Sequence, residues 1–374
     1  MAIEETYQNQ NLSIKDKIKL LDFQLIMLVL ILGLVSFLVM FSIDGGKFGY
    51  YTNNHIIRFS IFFLIFIFLA FTKINIWFRS AYFIYIIALI LLICVDFFGI
   101  TSSGSKRWIS LFVINIQPSE FMKIALLIFL ARYYHRIPSY EVNNIKFLLL
   151  PLVVILIPTT LVIRQPDLGT AVLIAGGGLC LVYLAGLRIK YLLYSFFYFL
   201  ILVPIVIAFL KPYQKVRILT FLNPESDPLG AGYQIIQSKI AVGSGGIFGK
   251  GFLKGSQSYL DYLPEKHTDF VFTLFSEEFG LIGSASLLVL YILILLRITN
   301  IGRQSKSSFA KLFCYGFAAA FFIYVIVNMA MVLGLLPIVG APLPIMSYGG
   351  SAMLGIMFGL GIVMSCCVHK NETI

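Results

Sequence analysis

A chain of 374 residues in which 59% are hydrophobic and only 12% charged has too few charges to cover a soluble surface, where about a quarter charged is usual. The remaining solvent for so much apolar side chain, 35 Phe among it, is the lipid bilayer. A net charge of +11 does not point to nucleic acid, because the Lys and Arg are scattered through short connections between apolar runs. Composition therefore predicts an all-α integral membrane protein, a single polytopic domain over 1–374.

The first 20 residues are polar, hold Lys15, Lys17 and Lys19, and read as a cytoplasmic tail. The apolar run that begins near Phe23 lacks a small-residue cleavage site and is expected to stay as the first span. A span needs about 20 mostly apolar residues. Runs of this kind lie at about 23–42, 56–72, 79–99, 118–134, 146–163, 168–187, 191–210, 271–297, 310–335 and 347–367, which predicts about ten transmembrane helices. With the N-terminus inside, fifteen Lys and Arg fall on inner segments. Five, Lys47, Arg58, Lys106, Arg107 and Arg164, fall on outer loops and their edges. That imbalance places both termini, including the tail 368–374, in the cytoplasm. The five cysteines, Cys94, Cys180, Cys314, Cys366 and Cys367, lie in or beside apolar runs without metal spacing and read as small apolar fillers.

Between the seventh and eighth spans, segment 211–270 is rich in Gly, Pro, Ser and charge. Loops of this length are usually functional or disordered. Amphipathic stretches such as Tyr233 to Val242 predict an ordered, partly helical loop on the outer surface.

Charges inside spans are costly and mark function by default. The fourth span opens Gln117-Pro118-Ser119-Glu120, then Lys123. Pro118 suits the first helical turn, Ser119 a cap, and Glu120 and Lys123, three apart, share one face. They either bind substrate or simply pin this helix to its neighbours. Just before them, Gly104-Ser105-Lys106-Arg107-Trp108 reads as a flexible turn that delivers cations and an indole to an anionic headgroup, or as a plain interface anchor. In Arg164-Gln165-Pro166-Asp167-Leu168-Gly169-Thr170, Asp167 falls at a helix start, where capping alone explains it. The strongest candidate is Leu263-Pro264-Glu265-Lys266-His267-Thr268-Asp269-Phe270. Asp269 stands where water meets hydrocarbon, His267 two residues before it, and Glu277 and Glu278 follow in the span. Partial desolvation there suits a general base; the alternative is a helix cap. The uncharged connection Gly340 to Ser351, with two prolines, must be buried in protein or line a cavity if it lies at membrane depth. Every one of these constellations falls on the outer side, so the expected substrate is anionic and lipid-linked or approaches from outside.

In this order, GSKRW, QPSE with Lys123, QPDLGT, NPESDPLGAGYQIIQSKIAVGSGG, LPEKHTDF and PLPIMSYGGS resemble the SEDS family of shape, elongation, division and sporulation proteins, from about residue 20 to 368. The wording of NPESDPLGAGY and QSKIA is nearer the elongation branch than the division branch. The resemblance implies a peptidoglycan glycosyltransferase of the bacterial cytoplasmic membrane that polymerises lipid II, with ten helices and the long outer loop near the catalytic cavity. It implies that Asp269 is the essential acid. It also implies substrate-binding roles for Arg107, Trp108, Glu120, Lys123, Asp167, Lys239 and the segment Ser347, Gly349, Gly350 and Ser351, with His267 beside them. It further implies assistance by a divalent cation, Mg or Mn, a class B penicillin-binding protein transpeptidase as partner, and other membrane proteins of the elongation complex. In the implied reaction Asp269 takes the proton of an acceptor sugar 4-hydroxyl, and Arg107, Lys123 and Lys239 receive the departing diphosphate. A transporter of the lipid-linked precursor is the competing reading, but functional charges near the midplane would then be expected. A scaffold leaves Glu120, Asp269, Glu277 and Glu278 without a role beyond packing.

Overall fold

The structure, a computed structural model, describes residues 13–102, 105–111, 114–191, 193–194, 197, 215, 219–226, 231–255 and 266–374. After a short helix α1 (Ile14–Lys19), Asp22 caps α2 (Phe23–Ile43) by accepting from the Leu25 N–H at 2.8 Å. Then come α3 (Tyr50–Ala70), α4 (Ile74–Phe98), α5 (Pro118–Tyr134), α6 (Ile145–Arg164), α7 (Leu168–Leu184), α8 (Ala231–Ser244), α9 (Val271–Gln304), α10 (Ser308–Val332) and α11 (Gly350–Val368). Among the described residues seven of these, α2, α3, α4, α6, α9, α10 and α11, are long and apolar enough to cross a membrane. The apolar helix α7 and the charge-bearing α5 are shorter, at 17 residues each. Large side chains such as Leu64, Phe68, Phe83 and Phe97 are mostly exposed on α3 and α4, which only a lipid environment tolerates at this density. The chain is a multi-pass membrane protein.

Helices therefore stand at nine of the ten predicted runs, and most of the tenth, 191–210, lies outside the described residues. The boundaries shift in an instructive way. Helix α3 begins at Tyr50 rather than 56, so Arg58, counted above as a loop-edge residue, sits inside a helix; α9 continues to Gln304 rather than 297. Hydropathy marks hydrocarbon, whereas a helix persists through the interfacial layer as long as its backbone bonds are met. Ser119 is not a cap: Gln117 is the N-cap of α5 without a side-chain bond, and Pro118 occupies the first turn. The expected amphipathic stretch is α8.

Two features were not predicted. Residues read as a flexible turn form a small antiparallel sheet, β1 (Ile100–Ser102), β2 (Ser105–Leu111) and β3 (Ile114–Ile116), in that order, with Trp108 opposite Ile100 and Ile109 opposite Ile116. The second is a break in α9. At Gly280 the backbone turns to φ 64°, ψ −159°. The helical bonds from Leu281 to Glu277 and from Ile282 to Glu278 are replaced by bonds to the glycine-rich connection after α8. Lys250 N–H donates to Glu277 O (3.0 Å) and Gly251 N–H to Glu278 O (3.0 Å), while Leu281 and Ile282 N–H donate to Gly246 O (2.9 Å) and Ile247 O (3.2 Å). These four backbone groups are thus paired again, as a buried break requires.

The approach is too close for a side chain. A Cβ at Gly280 would stand 2.3 Å from Gly249 N, and one at Gly249 would stand 2.0 Å from Glu278 O. Gly280→Ala and Gly249→Ala are each expected to destabilise the protein by about 1–3 kcal/mol from strain alone, read as a lowered melting temperature in detergent. Gly243→Ala, with open space around it, is the control that should leave melting unchanged.

Candidate functional site

The approach to α9 is held at three successive backbone carbonyls. His267 O accepts from Tyr348 N–H (2.8 Å), Thr268 O from the Ser347 hydroxyl (2.6 Å), and Asp269 O from the Asn328 amide (3.0 Å). Ser347 Oγ also accepts from Leu343 N–H at 2.7 Å, and Asn328 donates to Ala341 O at 2.6 Å. The segment 340–351, which supplies these contacts apart from those of Asn328 on α10, is irregular and largely buried, with Ile345 at φ 66°. Its other carbonyls are met from the surrounding helices. Tyr291 donates to Pro344 O at 2.8 Å, and Ser36, itself bonded to His55, donates to Met346 O at 2.9 Å. The expectation of buried irregular backbone is met by polar side chains from α2, α9 and α10.

Asp269 is half-buried at the start of α9. The N-cap of α9 is the next residue, Phe270, without a side-chain bond. The carboxylate is close to the Gly340 backbone, where a Cβ would stand 3.5 Å from Oδ2. Tyr324, buried on α10, has Glu120, Asp167 and Asp269 as acidic groups in its electrostatic surroundings, Glu120 in contact.

Glu120 is buried and meets Lys123 Nζ at 2.9 Å through Oε1 and 2.8 Å through Oε2. The Tyr324 hydroxyl donates to Glu120 at 3.4 Å, and Lys123 Nζ lies 4.0 Å from the Tyr324 ring centroid. A cavity of about 20 Å³ beside them has room for about one water. Asp167 caps α7 through Thr170 N–H (3.1 Å), as its position in the sequence predicts, and does more. It accepts from the Gln117 amide (3.1 Å) and pairs with Arg107 (3.8 Å), which also donates to Pro166 O. Gln117 N–H in turn donates to Ser351 Oγ (3.1 Å). The sheet, α5, α7 and α11 thus meet in one polar corner. Trp108 extends from β2 beside Arg107 and is half-buried.

On the opposite rim His267 stacks on Tyr51, ring centroids 4.5 Å apart, with Tyr348 at 5.9 Å. Burial pushes Tyr348 up to about 12, so its hydroxyl stays neutral. The Arg58 guanidinium lies 4.5 Å from the Tyr348 ring centroid and faces Gly350, and Gly349 is the N-cap of α11. Lys239 is placed differently. It is exposed on α8 and packs its stem against Gly334, and no described contact joins it to Glu120, Asp167 or Asp269. Glu277 and Glu278 are buried at the α9 break. Glu277 pairs with Lys250 at 2.6 Å and Glu278 accepts from Ser42. Residues 263–265 of LPEKHTDF lie outside the described residues.

Asn328, Tyr324 and Arg58 carried no motif. The signal available was a lone polar or charged residue in an apolar run, such as Asn328 in Phe321 to Val332. No group of three or more His, Cys, Asp or Glu that could hold a metal ion occurs among the described residues. Glu120 is engaged by Lys123 and Asp167 by Arg107.

Residues 19–372 match the profile of the cell cycle protein family that groups FtsW, RodA and SpoVE. The peptidoglycan glycosyltransferase MrdB of Escherichia coli K12 is 42% identical over 360 residues, 95% of each chain. A probable peptidoglycan glycosyltransferase FtsW of Coxiella burnetii is 37% identical over 333 residues, 86% of this chain and 88% of the relative. Among solved structures, a chain from a peptidoglycan synthase complex that coordinates polymerisation and crosslinking superposes with a TM-score of 0.80 at 32% identity, covering 94% of this chain and 98% of its own. The rod shape determining protein RodA of Thermus thermophilus superposes with a TM-score of 0.72 at 26% identity, covering 94% and 98%.

Removing one member of a buried ion pair leaves an uncompensated charge and costs about 3–5 kcal/mol. Lys123→Met is expected to lower stability by that order, and the double variant Glu120→Gln with Lys123→Met to recover most of it, in detergent melts of the four proteins of the cycle.

Proposed function

Because the chain belongs to the cell cycle protein family of FtsW, RodA and SpoVE, we propose that Asp269 is the general base of its glycan-polymerising reaction. The chain is a peptidoglycan glycosyltransferase, nearer in sequence to MrdB than to the FtsW relative named above. The observation that carries the assignment of the base is the half-buried Asp269 carboxylate at the start of α9, beside the Gly340 backbone and set on a chain held by Asn328, Ser347 and Tyr348.

The substrate is lipid II. The acceptor sugar 4-hydroxyl attacks the anomeric carbon of the donor from the face opposite its diphosphate. The new C–O bond forms as the C–O bond to phosphorus breaks, with inversion. The hydroxyl proton passes to Asp269, and undecaprenyl diphosphate leaves with the electron pair. Lys123 and Arg107, held by Glu120 and Asp167, supply positive charge that is already oriented when the diphosphate departs. Trp108, His267, Ser347 and the glycines at the start of α11 line the approach for sugar and diphosphate. Lys239, exposed on α8, meets the lipid substrate outside this corner. Magnesium or manganese, where it assists, arrives with the substrate diphosphate, as Mg²⁺ commonly does, and no step above depends on it.

The Asp269 end of the bundle faces away from the cytoplasm, in keeping with the Lys and Arg excess of the other connections. The partner is a class B penicillin-binding protein transpeptidase of the elongation complex. The likeness to a chain of a synthase complex that polymerises and crosslinks supports this reading.

Purified protein is expected to convert lipid II to long glycan strands. Asp269→Ala should keep the native melting temperature and lose about 10²–10⁴ in rate; near-normal polymerisation by that variant removes the base. Lys266→Cys in whole cells should react with a membrane-impermeant maleimide. Labelling only after the inner membrane is opened reverses the orientation.

A further inference from the structure

At the end of α9 far from Asp269, a groove of about 790 Å³ opens between α2, α9 and α10. Its lining runs along α9 from Leu293 to Arg303, about 15 Å at 1.5 Å per residue. On α2 it covers a little more than the first turn, from Gln24 to Leu28. A hydrocarbon core is about 30 Å thick, so the groove has the depth of one leaflet. A transmembrane helix would need contact along the whole span.

Both walls carry the same gradient. The deep part is apolar, formed by Met27, Leu293 and Leu296, and these side chains are also well exposed to the bilayer. The outer part is polar, with Gln24 on α2 and Asn300 and Arg303 on α9. Between them lies Arg297, tied to Asp22 at the cap of α2. That pair is neutral as a unit. Arg303 is exposed and held only by the Asn300 side-chain oxygen, at 2.9 Å; among the described residues no carboxylate pairs with it. The polar end of the groove therefore carries one net positive charge beside neutral amides.

We infer that this groove binds one phospholipid of net charge −1 from the leaflet opposite the catalytic site, with its phosphate at Arg303 and acyl chain over Met27, Leu293 and Leu296. A hydroxylated headgroup finds donors and acceptors in Gln24 and Asn300. An ammonium headgroup would be set beside Arg303 with no free acid in the lining, because Asp22 is already taken by Arg297. Phosphatidylglycerol fits that description and phosphatidylethanolamine does not.

The full chain, extracted from nanodiscs of equal phosphatidylglycerol and phosphatidylethanolamine, is analysed by native mass spectrometry. The expected result is one retained phosphatidylglycerol per chain. Arg303→Gln should reduce the preference about fivefold, the worth of one basic residue at an anionic surface. Leu296→Trp keeps every charge and fills the apolar half, and should lower retention of both lipids; since Leu296 is exposed, folding should survive. Equal retention of the two lipids, a preference untouched by Arg303→Gln, or a retention untouched by Leu296→Trp overturns the proposal. So does a dimer that Leu296→Trp dissociates, because a second copy would then fill the groove. None of these readouts involves polymerisation, so the outcome is independent of the assignment of Asp269.

Discussion

Where water is excluded, a backbone N–H or C=O must find its partner in the protein, and an unpaired one costs about 1–3 kcal/mol. Regular helices meet this demand internally. The chain departs from regular helix at buried depth in two places, the break in α9 and the segment 340–351, and both are answered atom by atom. At the break, two lost helical bonds become four bonds to residues 246–251. In segment 340–351, Asn328, Tyr291 and Ser36 reach in from three helices to carbonyls at 341, 344 and 346. Because the same segment also holds His267 and Thr268 by their carbonyls, and Asn328 on α10 ties the segment's Ala341 carbonyl to that of Asp269, the position of the Asp269 carboxylate follows from how buried backbone is satisfied.

Charge is arranged under the same pressure. Glu120 with Lys123, Asp167 with Arg107, Glu277 with Lys250 and Asp22 with Arg297 are all joined in pairs, and in each the carboxylate is the more buried member. Such pairs give little net stability, since desolvation consumes most of the attraction. Their value is geometric. A lysine held by both oxygens of Glu120 and stacked over Tyr324 presents its charge in one direction before substrate arrives, and preorganised charge avoids reorganisation during reaction. Arg58, set over the Tyr348 ring, is oriented by an aromatic face instead.

The spans were legible because an apolar run of about 20 residues matches the thickness of a bilayer and little else in a folded chain. Glu120 and Lys123 were legible as a pair because three-residue spacing on a helix leaves little choice. Asp167 was half legible: its position predicted the cap, but only the fold brings Arg107 and Gln117 to it from across the bundle. The sheet was hidden because two of its strands have three residues, too few to display an alternating pattern, and the Gly-Ser between them reads as a turn. The break at Gly280 was hidden because glycine is common in membrane helices and the apolar run continues through it. Asn328 and Tyr324 have no periodic partner, so their roles emerge only from what α10 faces. Lys239 shows the converse: motif resemblance named it, yet it stands apart from the carboxylates.

The break also determines how α9 is joined to the connection after α8. Only residues 270–279 lie between Asp269 and Gly280, and the bonds from Lys250 and Gly251 attach to Glu277 and Glu278 near their end, whereas Leu281 and Ile282 are bonded to Gly246 and Ile247. The connection after α8 therefore grips both sides of the break. The two parts of α9 are thus held by different means. Residues 271–279, about two and a half turns that start beside the proposed base, are fixed at their end by the bonds from Lys250 and Gly251. The remainder of α9 is packed on α2 and α10 and anchored by Asp22 to Arg297. The glycine is the feature that lets one helix of 34 residues take both roles, because only there can the backbone leave the helix and still meet the connection after α8.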